Sequence, residues 1–227
     1  MNYPAPIIAV DGPSGAGKGT LSHMLAEALG WHLLDSGALY RVTGQACLIE
    51  GVRWDDEVAV TAVARSLDVT FTSCDSGEIL VAYKGQDVSK AIRTEEGGRA
   101  ASTVAAIPSV REALLARQRE FCAAPGLVAD GRDMGTVVFP AADLKIFLTA
   151  SSEIRAERRY RQLIAKGENV TLPRLLKDIE ERDARDSSRT VSPLCPAEDA
   201  IVLDSSAMPI ADVFALVMSK VEEKGLK

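Results

Sequence analysis

Gly12-Pro13-Ser14-Gly15-Ala16-Gly17-Lys18-Gly19-Thr20 follows the apolar run Ile7-Ile8-Ala9-Val10 and opens a helical spacing of Leu21, Met24, Leu25, Ala28 and Leu29. Strand, glycine-rich loop and helix in that order make a binding loop for nucleotide phosphates. The glycines let consecutive backbone N–H groups turn inward as an anion nest, the helix start adds partial positive charge, and Lys18 reaches the terminal phosphates. A glycine-rich turn with no ligand is the competing reading, and it leaves the strand, the lysine and the helix unexplained. Lys18 is expected to face solvent, so that its loss spares the fold.

The 227 residues are 47% hydrophobic and 26% charged, enough for one good-sized core plus an insertion and too few for two full α/β domains. A net charge of −6 and a pI of about 5.1 argue against nucleic acid or an anionic membrane as partner, since both need a basic face. Residues 1–6 lack the basic stretch and long apolar core of a signal peptide, and no apolar run approaches a membrane span, so a cytoplasmic protein is expected. Cys47, Cys74, Cys122 and Cys195 show no C-x-x-C spacing, and with two histidines no zinc cluster is expected. All four are read as reduced thiols, typically buried.

Apolar runs at Ile7 to Asp11, Leu127 to Asp130, Leu144 to Leu148 and Ile201 to Asp204, with a shorter one at Leu33-Leu34, suit buried parallel strands with helices between them. Several end in Asp11, Asp35, Asp130 or Asp204, and ligands gather at the carboxyl ends of such strands. Leu67 to Thr72, a turn at Asp75-Ser76-Gly77 and Ile79 to Tyr83 read as an antiparallel hairpin, with Gly85 to Val88 as a short third strand. The expected fold is therefore α/β, a three-layer P-loop fold with a central parallel sheet and a small antiparallel β insertion. It is expected as a single domain over residues 1–227.

Ser151-Ser152-Glu153 starts a helix that carries Arg155, Arg158, Arg159 and Arg161. Pairing with Glu153 and Glu157 on a solvated face is the plainer alternative. A second helix, Leu172 to Ser188, places Arg182, Arg185, Asp186 and Arg189 at i, i+3, i+4 and i+7, a stripe that is either surface or ligand-facing.

One departure in the loop narrows the reading. The hydroxyl residue that normally follows the lysine and touches Mg²⁺ is Gly19 here, with Thr20 one place later, so another group must help hold the metal. A G-K-G-T loop resembles that of the nucleoside monophosphate kinases. Leu34-Asp35-Ser36-Gly37-Ala38-Leu39-Tyr40-Arg41, Ile92-Arg93, Val110-Arg111, Ala129-Asp130-Gly131-Arg132-Asp133-Met134-Gly135-Thr136 and Arg182-Asp183-Ala184-Arg185-Asp186 complete the likeness. Together the motifs resemble the bacterial cytidylate kinases through nearly the whole chain.

The resemblance implies transfer of the γ-phosphoryl group of ATP to CMP or dCMP with Mg²⁺. It places a monophosphate-binding β insertion at about 67–90 and an arginine-rich helical lid at about 153–170. Lys18, Arg132 and Arg159 are expected to act on the transferring group. Gly12 to Thr20, with Arg155 and Arg158, are expected to hold ATP. By the same resemblance Arg41 and Arg132 hold the acceptor phosphate, Ser36 and Ser102 touch the monophosphate or base, and Arg182 and Asp186 bind the sugar.

Cytosine needs one acceptor for its amine and donors for its other edge, a set that Asp133, Arg111 and Arg189 supply. Asp133 as a turn cap and Ser36 and Ser102 as helix caps remain the plain alternatives. No general base is required, because the CMP phosphate is already an oxyanion. Asp130 is a candidate for Mg²⁺, directly or through water.

A kinase for UMP, AMP, shikimate or dephospho-coenzyme A is the nearest rival, distinguished by its acceptor pocket. A nucleotide-dependent switch would want the missing loop hydroxyl and an Asn-Lys-x-Asp motif that this chain lacks. A monomer is expected.

Overall fold

The computed structural model describes residues 3–73, 79–165 and 167–226. In chain order it forms β1 (Ile7–Asp11), α1 (Lys18–Leu29), β2 (His32–Asp35), α2 (Ser36–Ile49), α3 (Glu57–Arg65), β3 (Val69–Ser73), β4 (Ile79–Tyr83) and β5 (Gln86–Asp87). There follow α4 (Glu95–Val104), α5 (Pro108–Arg119), β6 (Leu127–Asp130), β7 (Leu144–Thr149), α6 (Ser152–Ala165), α7 (Leu172–Ser187), β8 (Ile201–Asp204) and α8 (Ile210–Glu223). The chain divides into two compact units, Met1–Asp35 with Arg119–Lys227, and Ser36–Gln118.

The first unit is built on a five-stranded sheet in the order β2-β6-β1-β7-β8, every pair parallel. Unbroken apolar runs belong at the centre of such a sheet, where helices cover both faces. Accordingly Ile7, Ile8, Ala9 and Val10 are all fully buried. Leu21 and Leu25 of α1 and Val213, Val217 and Val221 of α8 share one apolar cluster with Ile8, Val10, Val128, Ile146 and Leu148. Gly30 ends α1 in the left-handed region at φ 65, with the Trp31 amide returning to Ala26 O at 2.9 Å.

The second unit pairs β3, β4 and β5 as an antiparallel sheet, with Val69 opposite Tyr83 and Ser73 opposite Ile79. The turn at Asp75-Ser76-Gly77, together with Cys74, lies outside the described residues. Cys47 and Cys122 are buried free thiols, as expected, but Cys195 is exposed. Among the described residues no helix is long and apolar enough to cross a membrane.

Within the second unit α2 and α4 meet at a close approach. A Cβ on Gly44 of α2 would stand 2.6 Å from the Cβ of Ala100, closer than real side chains come. Gly44→Ala is therefore expected to destabilise the protein by about 1–3 kcal/mol through overpacking, outweighing the gain of about 1 kcal/mol in helix propensity. Urea unfolding of the two proteins measures the difference.

Candidate active site

The loop between β1 and α1 is shaped by Gly12, Gly15 and Gly17, at φ 143, 81 and 101. Gly12 has no freedom to change: a Cβ there would meet Leu148 O at 1.9 Å. The loop's carbonyls are drawn into the protein. Ser14 O accepts from Arg155 Nη1 at 3.1 Å, and Ala16 O accepts from Ser205 Oγ at 3.0 Å and Arg158 Nη1 at 3.4 Å.

Lys18 overturns one expectation. It is 5% exposed, its ammonium donating to Pro13 O at 2.9 Å and standing 3.9 Å from Asp130 Oδ1. Burial pulls its pKa down to about 7, helped by Arg132 and Arg182 and opposed by Asp130 and Asp11. A lysine that other cations and burial both disfavour is primed to take a polyanion as its partner.

β6 delivers the second half of the site. Gly131 N donates to Val10 O at 3.0 Å, and Arg132 reaches Asp186 Oδ2 from Nε at 3.2 Å. Arg189 donates to the other oxygen of Asp186, and Arg182 Nε lies 4.0 Å from Oδ2. Asp186 is 1% exposed. Burial alone would raise its pKa, but the charges of Arg132, Arg189 and Arg182 outweigh that and hold it below 3.8. The stripe on α7 thus splits: Arg182, Asp186 and Arg189 turn inward, and Arg185 stays exposed.

Asp133 is 4% exposed and precedes a single π-helical turn, Met134–Val138, to which its side chain makes no capping bond. Its carbonyl, not its carboxylate, closes the turn, accepting from Val137 N at 2.9 Å and Val138 N at 3.1 Å. The reading of Asp133 as a cap falls.

Helix α6 also differs from the solvated pattern. Arg155 is buried and pairs through both terminal nitrogens with Asp183. Arg158 grips Ser205 O at 2.6 Å, while Arg161 pairs with Glu157 on the surface at 3.1 Å. Arg159 is half-buried and donates to Gln162 at 3.4 Å.

Ser36, Arg41, Ser102 and Arg111 belong to the second unit. Ser36 heads α2 and Arg41 follows on the same helix. Ser102 lies inside α4, so it is no cap, and its buried Oγ has no hydrogen-bond partner. Arg111 donates to Ala105 O at 3.2 Å and lies over the ring of Tyr40 at 5.4 Å.

Sequence reasoning missed Asp11, Asp183 and Ser205 as parts of this framework. Asp11 had one signal, an acidic residue closing a buried strand immediately before the loop. Both of its oxygens are used, by Met134 N at 2.8 Å and Gly135 N at 2.7 Å. Burial lifts its pKa to about 7 against the pull of those two amides. Among the described residues no group of three or more His, Cys, Asp or Glu side chains could hold a metal ion. Gly19 borders Asp130, whose Oδ2 would lie 3.5 Å from a Cβ at that position.

Comparison with known proteins agrees over nearly the whole length. The family model described as Cytidylate kinase matches residues 8–223. A cytidylate kinase from Aeromonas hydrophila is 59% identical over 224 residues, covering 99% of this chain and 97% of that protein. One from Shewanella amazonensis is 56% identical over 225 residues, covering 99% and 97%. A solved gluconokinase from Sinorhizobium meliloti 1021 covers 98% of this chain and is covered to 94%, at 17% identity and a TM-score of 0.46.

The arginine cluster makes a stability prediction. Asparagine at 186 would leave buried guanidiniums without their counter-charge, so Asp186→Asn is expected to cost about 3–5 kcal/mol at neutral pH. Because the folded pKa is depressed, the carboxylate's contribution is present above its ordinary 3.8 and lost as the pH falls through the lower folded value. Denaturant titrations at neutral pH and in acid should show the gap between parent and variant closing only in acid.

Proposed function

This chain belongs to the cytidylate kinase family, and from that premise we propose how its residues carry the family's reaction. The protein transfers the γ-phosphoryl group of ATP to CMP or dCMP, giving ADP and CDP or dCDP. A phosphate oxygen of the acceptor forms the new bond in line as the bond to the β-phosphate oxygen breaks. The enzyme's part is alignment and positive charge placed where charge spreads over the equatorial oxygens.

The observation that carries the assignment is the buried Lys18 standing beside Asp130, two residues before Arg132, which joins Arg189 on Asp186. Lys18 and the loop Gly12 to Thr20 hold the donor phosphates. Arg132 holds the acceptor phosphate, and Arg182 and Asp186 the sugar. Asp133 accepts from the cytosine amine, and Arg189 donates to the base. Arg155 and Arg158 support ATP binding through the loop carbonyls they hold, and Arg159 reaches the transferring group. Ser36, Arg41 and Ser102 of the second unit keep the acceptor contacts that the family likeness gives them, and Arg111 donates to the base; the unpartnered hydroxyl of Ser102 suits its role.

Magnesium, when bound, neutralises and orients the donor phosphates. Asp130 fits it as one hard oxygen ligand, directly or through water, which suits an ion that keeps most of its waters and is otherwise held by phosphate oxygens. We propose a cytoplasmic protein and a monomer. Segments 67–90 and 153–170 are assigned to monophosphate binding and to lid closure respectively.

An acceptor panel of CMP, dCMP, UMP and AMP tests the function, with ADP release stimulated by CMP and dCMP as the expected result. Lys18→Ala is expected to lower turnover by about 10²-fold or more, and, the lysine being buried, to alter stability as well. Asp133→Ala should raise the CMP requirement and erode the preference for CMP over UMP by about tenfold to a hundredfold, with ATP affinity unchanged. Steady-state kinetics with each acceptor measure both, and unchanged selectivity in folded Asp133→Ala would place base recognition elsewhere.

A further inference from the structure

The residues assigned to the acceptor, Arg132 and Asp133, stand on a backbone that would not hold itself in place. A lone π-helical turn such as Met134–Val138 is a rare geometry with few bonds of its own, and such turns tend to mark functional sites. Here each end is fastened by a charge of the sign that a helical end attracts. At the start, the two oxygens of Asp11 accept from Met134 N and Gly135 N, at 2.8 and 2.7 Å. At the finish, Arg119 donates from Nε to Val138 O at 2.9 Å and from Nη2 to Val137 O at 3.1 Å.

The flank is held too. A Cβ on Gly135 would lie 3.1 Å from Cδ of Lys145, whose ammonium is anchored to Pro140 O at 2.7 Å and Asp199 at 2.8 Å. Asp11 closes β1 and Arg119 is where the chain re-enters the first unit, so neither belongs to the motif it holds.

We propose that Asp11 and Arg119 are positioning residues for the reaction: by pinning the two ends of this turn they set where Arg132 and Asp133 stand, and with that the affinity and base choice for the acceptor. The inference rests on the assignment of Arg132 and Asp133 to the acceptor. Asn at 11 keeps the volume but offers one acceptor oxygen, and sets an NH₂ group against the other amide. Gln at 119 removes the two-pronged donor. Lys there keeps the charge and reaches a single carbonyl.

The test is steady-state kinetics of Asp11→Asn, Arg119→Gln and Arg119→Lys with CMP, UMP and ATP varied in turn, beside Asp133→Ala. In both Asp11→Asn and Arg119→Gln the KM for CMP should rise about tenfold, the CMP:UMP preference should fall, and the KM for ATP should stay unchanged. Arg119→Lys should regain part of the lost affinity. A loss confined to kcat with both KM values intact would mean that the two residues only maintain the amount of folded enzyme, and would overturn the proposal. So would a KM for ATP rising as much as that for CMP, which would make Asp11 a donor-loop residue. Should Asp11→Asn fail to fold, the two Arg119 variants decide on the same criteria. If Asp133→Ala itself left CMP binding and selectivity untouched, the acceptor assignment would be what had failed; if it moved them while the Asp11 and Arg119 variants did not, the positioning role alone would fall.

Discussion

Parallel pairing of β1 with β6, with Val10 opposite Asp130, is the constraint on which the site depends. It sets the carboxyl ends of two adjacent central strands level, so the loop leaving β1 and the segment leaving β6 emerge side by side. The backbone bond from Gly131 N to Val10 O continues the pairing one residue past the end of β6. Lys18 and Asp130 meet across that seam at 3.9 Å. Without this register the glycine loop and the Arg132-Asp133 pair would be separate features on one surface.

Charge at the seam is arranged for a guest that carries many negative charges. Lys18 is buried beside cations, and burial of this kind is tolerated only when charges are paired or shifted. Asp186 offsets part of the excess by collecting Arg132, Arg182 and Arg189, which keeps the guanidiniums close together in the absence of phosphate. Arg155 and Arg158 act on the loop itself, where they occupy the carbonyls of Ser14 and Ala16. With those acceptors engaged by protein donors, the loop offers an incoming anion less repulsion from its carbonyl dipoles.

Features that depend on neighbours in the chain were legible in the sequence. The glycine loop declared itself by its flanks, the central strands by unbroken apolar runs, and the antiparallel sheet by two β-rich runs about a turn. Position along α7 was half legible: helical spacing put Arg182, Asp186 and Arg189 together, but it could not reveal that Arg185, at i+3, points outward. Long-range partners left no such trace. Asp183 is 28 residues from Arg155, Ser205 is 47 from Arg158, and Asp11 is 124 from Gly135. The burial of Lys18 was equally hidden, because exposure depends on what packs around a residue and not on its own polarity.

The first unit is discontinuous, and this bears on how the chain is made. Its β2 and β6 are hydrogen-bonded neighbours, yet the whole of Ser36–Gln118 lies between them in sequence. On the ribosome the segment Ser36–Gln118 emerges as one uninterrupted piece, able to collapse around its own contacts. The central sheet must wait for β6 and β7, and β1 waits with both edges unpaired. Until then the apolar run Ile7 to Val10 carries unsatisfied backbone on both edges.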